Sequence, residues 1–111
     1  MAFKSDLEAL ILGVLHDRAL HGYEISKRIK ERGGEALAVG EGRLYPALHK
    51  LEADGKVTAQ WEPREGKPPR RIYELTEAGQ LELSSQQDAW KKFTSGVGSI
   101  LMSRDREVSR G

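Results

Sequence analysis

There is no cysteine among the 111 residues, which excludes a disulfide framework and a thiolate metal site and fits a reducing cytoplasm. No apolar run approaches the ~20 residues that a membrane span needs. The amino terminus, MAFKSDLEALILGVL, is apolar in a helical rhythm but carries Asp6 and Glu8, so it does not read as a secretion signal. An excess of one charge is also missing: 18 basic residues against 17 acidic ones leave a net charge of +1. Nucleic-acid binders are usually strongly basic, so total charge is silent here and only the placement of cations counts. No nucleophile motif, phosphate loop or carboxylate pair is present, and an enzyme is not expected. His16, Asp17 and His21 lie close in sequence but have no further ligand nearby, so neither a metal nor any other cofactor is expected. Internal repeats and low-complexity tracts are absent.

What remains is an ordinary balance of 38% hydrophobic and 32% charged residues, enough for one modest core and an additional helix. A domain of this size is marginally stable alone, and pairing with a second copy is a natural supplement.

The organising stretch is EGRLYPALHKLEADG, residues 41 to 55. Turned by the helical period, Leu44, Ala47, Leu48 and Leu51 share one stripe. Arg43, Tyr45, Pro46, His49 and Lys50 fall on the other side, with acids only near the two ends. That outward mixture of cations, imidazole and phenol suits phosphates and base edges. Pro46 is expected in the first turn, where its missing N–H has no partner to lose. Gly55 is expected as a left-handed cap.

Around this stretch the pattern is regular. Ser5 to Asp17 reads as a helix, with Ser5 and Glu8 forming a capping box and Leu7, Leu10, Ile11, Val14 and Leu15 buried. Gly13 is read as a place where another helix comes close. A turn, ALHG, leads to a second helix from about Gly22 to Arg32, with Tyr23, Ile25 and Ile29 as its apolar contacts. After Gly55 the rhythm alternates: Val57, Ala59 and Trp61 face one way, and RRIYEL alternates again around Tyr73. PREGKPP between them reads as a turn too rich in proline to pair. Helix, helix, helix and hairpin make a winged helix-turn-helix, mainly α with a small β-hairpin, over residues 1–75. Thr76 should cap a fourth helix, residues 76–102, followed by a polar tail at 103–111. Along that helix, Leu83, Trp90, Phe93, Val97, Ile100 and Leu101 form an apolar stripe that a homodimer would cover.

The strings LHGYEI (20 to 25), EGRLYPALHKLEADGKV (41 to 57) and RRIYELTEAG (70 to 79) are similar to the signature of the PadR family of transcriptional regulators. The resemblance runs from about Leu7 to Leu101. It implies a homodimeric bacterial regulator, usually a repressor, with a C-terminal dimerising helix and double-stranded DNA as its partner. Tyr45 matches the tyrosine of the family's recognition helix, and Arg70 and Arg71 match its wing cations. The wing tip, EPREGKPP, departs from the pattern at a place where the family varies. Family members that sense planar drugs resemble this chain in carrying a tryptophan in the C-terminal helix, which makes Trp90 and Phe93 candidates for stacking a small aromatic effector between two subunits.

The DNA-binding candidates are therefore Arg43, His49 and Lys50 for base edges or phosphates and Tyr45 for a phosphate. Ser26, Lys27 and Arg28 are candidates for the backbone, as are Arg64, Lys67, Arg70 and Arg71 on the wing. Two other uses of such a chain stay open at this point: a winged domain for protein contacts alone, and a drug-binding sensor without DNA recognition of its own.

Overall fold

The computed structural model of the chain describes residues 6–103. Its elements run α1 (Asp6–Val14), β1 (Leu20–His21), α2 (Gly22–Gly33), a single 3-10 turn (Glu35–Leu37), α3 (Glu41–Ala53), β2 (Val57–Arg64), β3 (Lys67–Leu75) and α4 (Glu77–Leu101). This is a winged helix-turn-helix followed by a long helix. Among the described residues no helix is long and apolar enough to cross a membrane.

One core holds the winged part together. Leu44, Leu48 and Leu51 are fully buried along α3, at the spacing that the helical period requires of an inward stripe. They meet Ile11, Leu12 and Leu15 from the first helix and its end, Ile25 and Ile29 from α2, and Val57 and Tyr73 from the hairpin. Leu12 lay outside the stripe expected of the first helix. It is buried because α2, α3 and α4 all pack against α1, so more than one face of α1 is covered.

α3 closes as its sequence suggests. Gly55 adopts φ 74°, its N–H donates to the Glu52 carbonyl (3.0 Å), and the Lys56 N–H donates to the Leu51 carbonyl (2.9 Å). This is the double bond of a Schellman cap. The start lies one residue after Gly40, within the expected range, but the place of Pro46 differs from expectation: with Glu41 as the first helical residue, Pro46 falls in the second turn, where it cannot donate to the Gly42 carbonyl.

The ALHG segment is a strand, not a plain turn. Leu20 pairs with Tyr73 and His21 with Ile72, so the sheet has three strands in the order β1-β3-β2. The proline-rich segment also differs: the strands extend through it to a two-residue turn at Glu65 and Gly66, the latter at φ 68°. Pro63 sits at the irregularity between Glu62 and Arg64, and Pro68 and Pro69 lie between the paired Lys67 and Arg70. The prolines thus occupy the stretch where ladder bonds are already interrupted.

Thr76 caps α4 as expected, its hydroxyl accepting from the Gly79 N–H (3.1 Å) and donating to the Gly55 carbonyl (2.6 Å). The helix has 25 residues, about 38 Å at ~1.5 Å per residue. Only its first turns join the core, through Gly79 and Leu83. Leu83, expected on the inter-subunit stripe, is 6% exposed and packs inside its own subunit. Trp90, Val97, Ile100 and Leu101 further along are exposed. The Ser5 cap and nearly all of the 103–111 tail fall outside the described residues.

Gly13 is no point of close approach: a Cβ there meets nothing within 4 Å. That role belongs to Gly79, where a Cβ would run into the Lys56 carbonyl, and to Gly22, where it would lie 2.6 Å from the Tyr45 hydroxyl.

Candidate nucleic-acid interface

α3 turns Arg43, Tyr45, His49 and Lys50 outward, as the helical period requires. Their surroundings separate them. The Arg43 side chain makes no hydrogen bond or ion pair among the described residues. Tyr45 lays its ring on Gly22 at the start of α2, so only glycine lets the phenol settle there. Lys50 turns toward α1 and α4, with its Nζ 3.2 Å from Asp54 Oδ2 and 3.7 Å from Glu8 Oε1. The hydrogen bond to Asp54 raises its pKa. Lys50 therefore stands apart from the other candidates, its charge already answered by two acids.

The hairpin brings its cations to the other side of α3. Arg71 donates from Nη2 to Glu52 Oε2 on α3 (2.9 Å), and its guanidinium carbon lies 5.4 Å from the Trp61 ring centre and 5.9 Å from that of Tyr73. A cation held over two rings and tied to a carboxylate is a brace more than a probe. Its Nε is buried without a hydrogen-bond partner. Arg70 donates from Nε to Glu62 Oε1 across the hairpin (2.9 Å), and Arg64 donates from Nε to the Pro68 carbonyl (2.9 Å). Neither Arg64 nor the exposed Lys67 has an ion-pair partner among the described residues. Burial pushes the Tyr73 phenol above its ordinary pKa.

Between α2, α3 and the wing lies an open groove of about 530 Å³, to which Tyr45, His49, Arg64, Arg70 and Arg71 all contribute. An adjoining hollow takes in Lys27 and Arg28, again with Arg70 at its edge. Seven of the expected residues therefore gather on one continuous face. Ser26 is half-buried on α2 and lines neither hollow; Arg43 and Lys67 lie outside both.

Sequence reasoning missed two rings in the groove. Tyr23 was expected among the apolar contacts of the second helix but is 65% exposed, and Trp61 is 64% exposed. Trp61 does share a strand face with Val57 and Ala59, as the alternation requires. The hairpin simply runs past the end of the core, so that face emerges into the groove.

His21 supports the α2 end of this face. Its Nδ1 accepts the Glu24 N–H (3.4 Å) as the helix cap, while Nε2 lies 2.9 Å from Glu24 Oε1. An Nδ1 that accepts must be unprotonated, and burial lowers the pKa below the ordinary 6.5. Protonation therefore favours the unfolded chain: the stability this group contributes is complete above pH 6.5 and is lost as pH falls through the lowered folded value. Thermal melts should show a drop in Tm on acidification from about pH 7.5 to about pH 5.5 that shrinks in His21→Asn, which keeps a cap acceptor without the titration. Identical drops in the two proteins would refute the neutral cap.

A three-helix core, a hairpin wing braced to the third helix and a cationic face between them describe a regulator fold, and the chain matches one family directly. Residues 11–85 match the transcriptional regulator PadR-like family. The chain belongs to that family. One relative, the transcriptional regulator Rv3488 of Mycobacterium tuberculosis, is 33% identical over 92 residues, covering 80% of this chain and 82% of that protein. The negative transcriptional regulator PadR of Bacillus subtilis is 34% identical over 77 residues, which are 69% of this chain but 42% of that longer protein. The crystal structure of Bacillus subtilis PadR in complex with operator DNA is similar with a TM-score of 0.68 at 27% identity, over 96% of this chain and 54% of that one. A PadR-like transcription factor from Bacteroides fragilis gives a TM-score of 0.73 at 33% identity, over 85% of this chain and 88% of that one.

Proposed function

We propose that the protein is a homodimeric repressor that binds a pseudo-palindromic operator. Two copies pair through α4 from Trp90 onward and set their α3 helices in successive major grooves, about one DNA turn or ~34 Å apart. The observation that carries this reading is the cationic face shared by α3, α2 and the wing, on a fold similar to that of Bacillus subtilis PadR with its operator. Arg43 reads a base edge or a phosphate; Lys27, Arg28, Arg64 and Lys67 meet the backbone. Tyr45 and His49 face the same groove, and Arg70 and Arg71 hold the wing while presenting their remaining donors.

The exposed end of α4 supports a second element of the reading. Trp90 and Phe93 stack with ring centres 6.0 Å apart and planes 29° from parallel. Across a dimer axis, two such pairs form a slot for a small aromatic effector. Its entry would shift the spacing of the winged parts and change operator affinity, by ~1–3 kcal/mol in typical couplings.

Fluorescence anisotropy with a labelled fragment of the gene's own upstream DNA tests the DNA reading. Affinity should fall steeply as salt rises, since neutralised phosphates release counterions. Arg43→Ala should weaken binding by at least about 1 kcal/mol, and more than Lys50→Ala, whose charge is held by Asp54 and Glu8. Salt-independent binding, or an Arg43→Ala protein that binds like the parent, would overturn it.

A further inference from the structure

We infer that Lys56 and Glu82 are positioning residues: their contact fixes how α4 is set on the winged part, and with it the placement of the two α3 helices in the dimer. Lys56 follows the Gly55 cap and is bonded to both helices. Its N–H donates to the Leu51 carbonyl at the end of α3 (2.9 Å), and its carbonyl accepts from the Thr76 N–H at the start of α4 (3.2 Å). Its Nζ lies 3.0 Å from Glu82 Oε1, in the second turn of α4. Gln86, one turn further on, donates from Nε2 to Glu82 Oε2 (2.9 Å). The bond from Gln86, with that from Lys56 second, holds the Glu82 carboxyl below the usual carboxylate range. The pair lines one side of a crevice of about 220 Å³ between α1, the end of α3 and α4, to which Lys50 and Glu8 also contribute.

The length of α4 gives this pair leverage. Gly79 pins the first turn of the helix against the Lys56 carbonyl, and Leu83 is the last buried residue described along it. Measured from Gly79 at ~1.5 Å per residue, Glu82 lies ~4.5 Å along the axis and Ser95 ~24 Å, so ~1 Å of play at Glu82 grows to ~5 Å at Ser95. The two side chains are 27% and 28% exposed, held by their neighbours but still open to water. Such a pair is weaker than a core contact, so it trims the angle of α4 while Gly79 and Leu83 fix its place. A direct role on DNA does not account for the arrangement, because Glu82 would repel a phosphate and already answers the Lys56 charge. The effect on DNA, though not the setting of α4, rests on the proposed dimer and operator.

The chain has no cysteine, so Glu65→Cys on the wing and Ser95→Cys on α4 take a pair of spin labels with no other change. Labelled chains are diluted in an excess of unlabelled protein, so the distance read by double electron–electron resonance lies within one chain and needs no dimer. The parent should give one narrow distance. Glu82→Gln, which can keep its bond with Gln86, and Lys56→Met, which keeps the apolar stem, should each about double the width or move the mean by about 3 Å or more, as the leverage along α4 implies. Circular dichroism should show helix content and melting close to the parent's. The reversed pair, Lys56→Glu with Glu82→Lys, should restore the narrow distance. Single variants as narrow as the parent, or a reversed pair as broad as the single variants, would overturn the positioning role. Unlabelled proteins are then titrated with the labelled upstream fragment. Glu82→Gln removes a negative charge, which by itself strengthens DNA binding, whereas a loosened α4 should weaken it at least about fivefold. Binding as tight as the parent's, or tighter, would overturn the effect on DNA. If the parent itself does not bind the fragment, it is the operator reading that fails, and the distances still decide the setting of α4.

Discussion

Changing Val97 and Ile100 together to aspartate should turn the protein into a monomer and lower operator affinity by at least about 100-fold, ~2.8 kcal/mol at 1.4 kcal/mol per tenfold. Both side chains are exposed on α4, at 36% and 78%, so the charges meet water in a single subunit and leave its fold intact. Against a second α4 they would be buried without partners, which an interface does not tolerate. A monomer also loses the gain from tethering two winged parts, typically ~10²–10⁴ in affinity. Light scattering reports the mass, circular dichroism the fold and anisotropy the affinity. A variant that stays folded, turns monomeric and binds operator undiminished would remove the dimer from the mechanism. One that stays dimeric would move the pairing surface elsewhere, with exposed Leu81 the next place to look.

The largest loss of stability should come from Gly79→Ala. The added methyl would run into the Lys56 carbonyl, which already accepts the Thr76 N–H at 3.2 Å. That carbonyl cannot retreat easily, because the Lys56 N–H is held by Leu51 and the Thr76 hydroxyl holds Gly55 beside it. The end of α3, the start of β2 and the start of α4 meet at this spot. Overpacking of ~1–3 kcal/mol with a disturbed hydrogen bond worth ~1 kcal/mol gives a loss of roughly 3 kcal/mol. For a chain of this size that is a fall in Tm of more than about 10 °C. Gly13→Ala is the contrast: its methyl enters open space in a helix and should stabilise by ~0.5–1 kcal/mol. If both substitutions proved equally mild, the tight junction at Gly79 would be disproved.

The parts of the fold that were legible in the sequence are those with a period. The Leu44, Leu48, Leu51 stripe, the Thr76 cap and the left-handed Gly55 all depend on near neighbours, and each is found where the pattern puts it. β1 was not legible, since a strand of two residues has no alternation to read. The wing prolines argued against pairing, and the ladder escapes them only through its irregular register. Leu83 shares the helical spacing of the exposed stripe, but position along α4, not phase around it, decides which leucine meets the core. The site follows the same division. Which side chains face outward on α3 was plain from periodicity. Which cations are already answered was not, because Glu8 and Glu52 reach Lys50 and Arg71 from 42 and 19 residues away in sequence. The groove itself, with Tyr23 and Trp61, depends on how far the hairpin overshoots the core.

The bond between Arg71 and Glu52, with β1 stitched to the other edge of β3, ties the wing to α3. Within one half-site of the proposed operator, then, the offset between α3 and the wing would be set by the protein, and the DNA would have to bend to fit it. Between the half-sites of the proposed dimer, the described residues offer no such brace beyond the ends of α4. Operators should therefore differ in the number of base pairs separating their halves more freely than in the layout of either half.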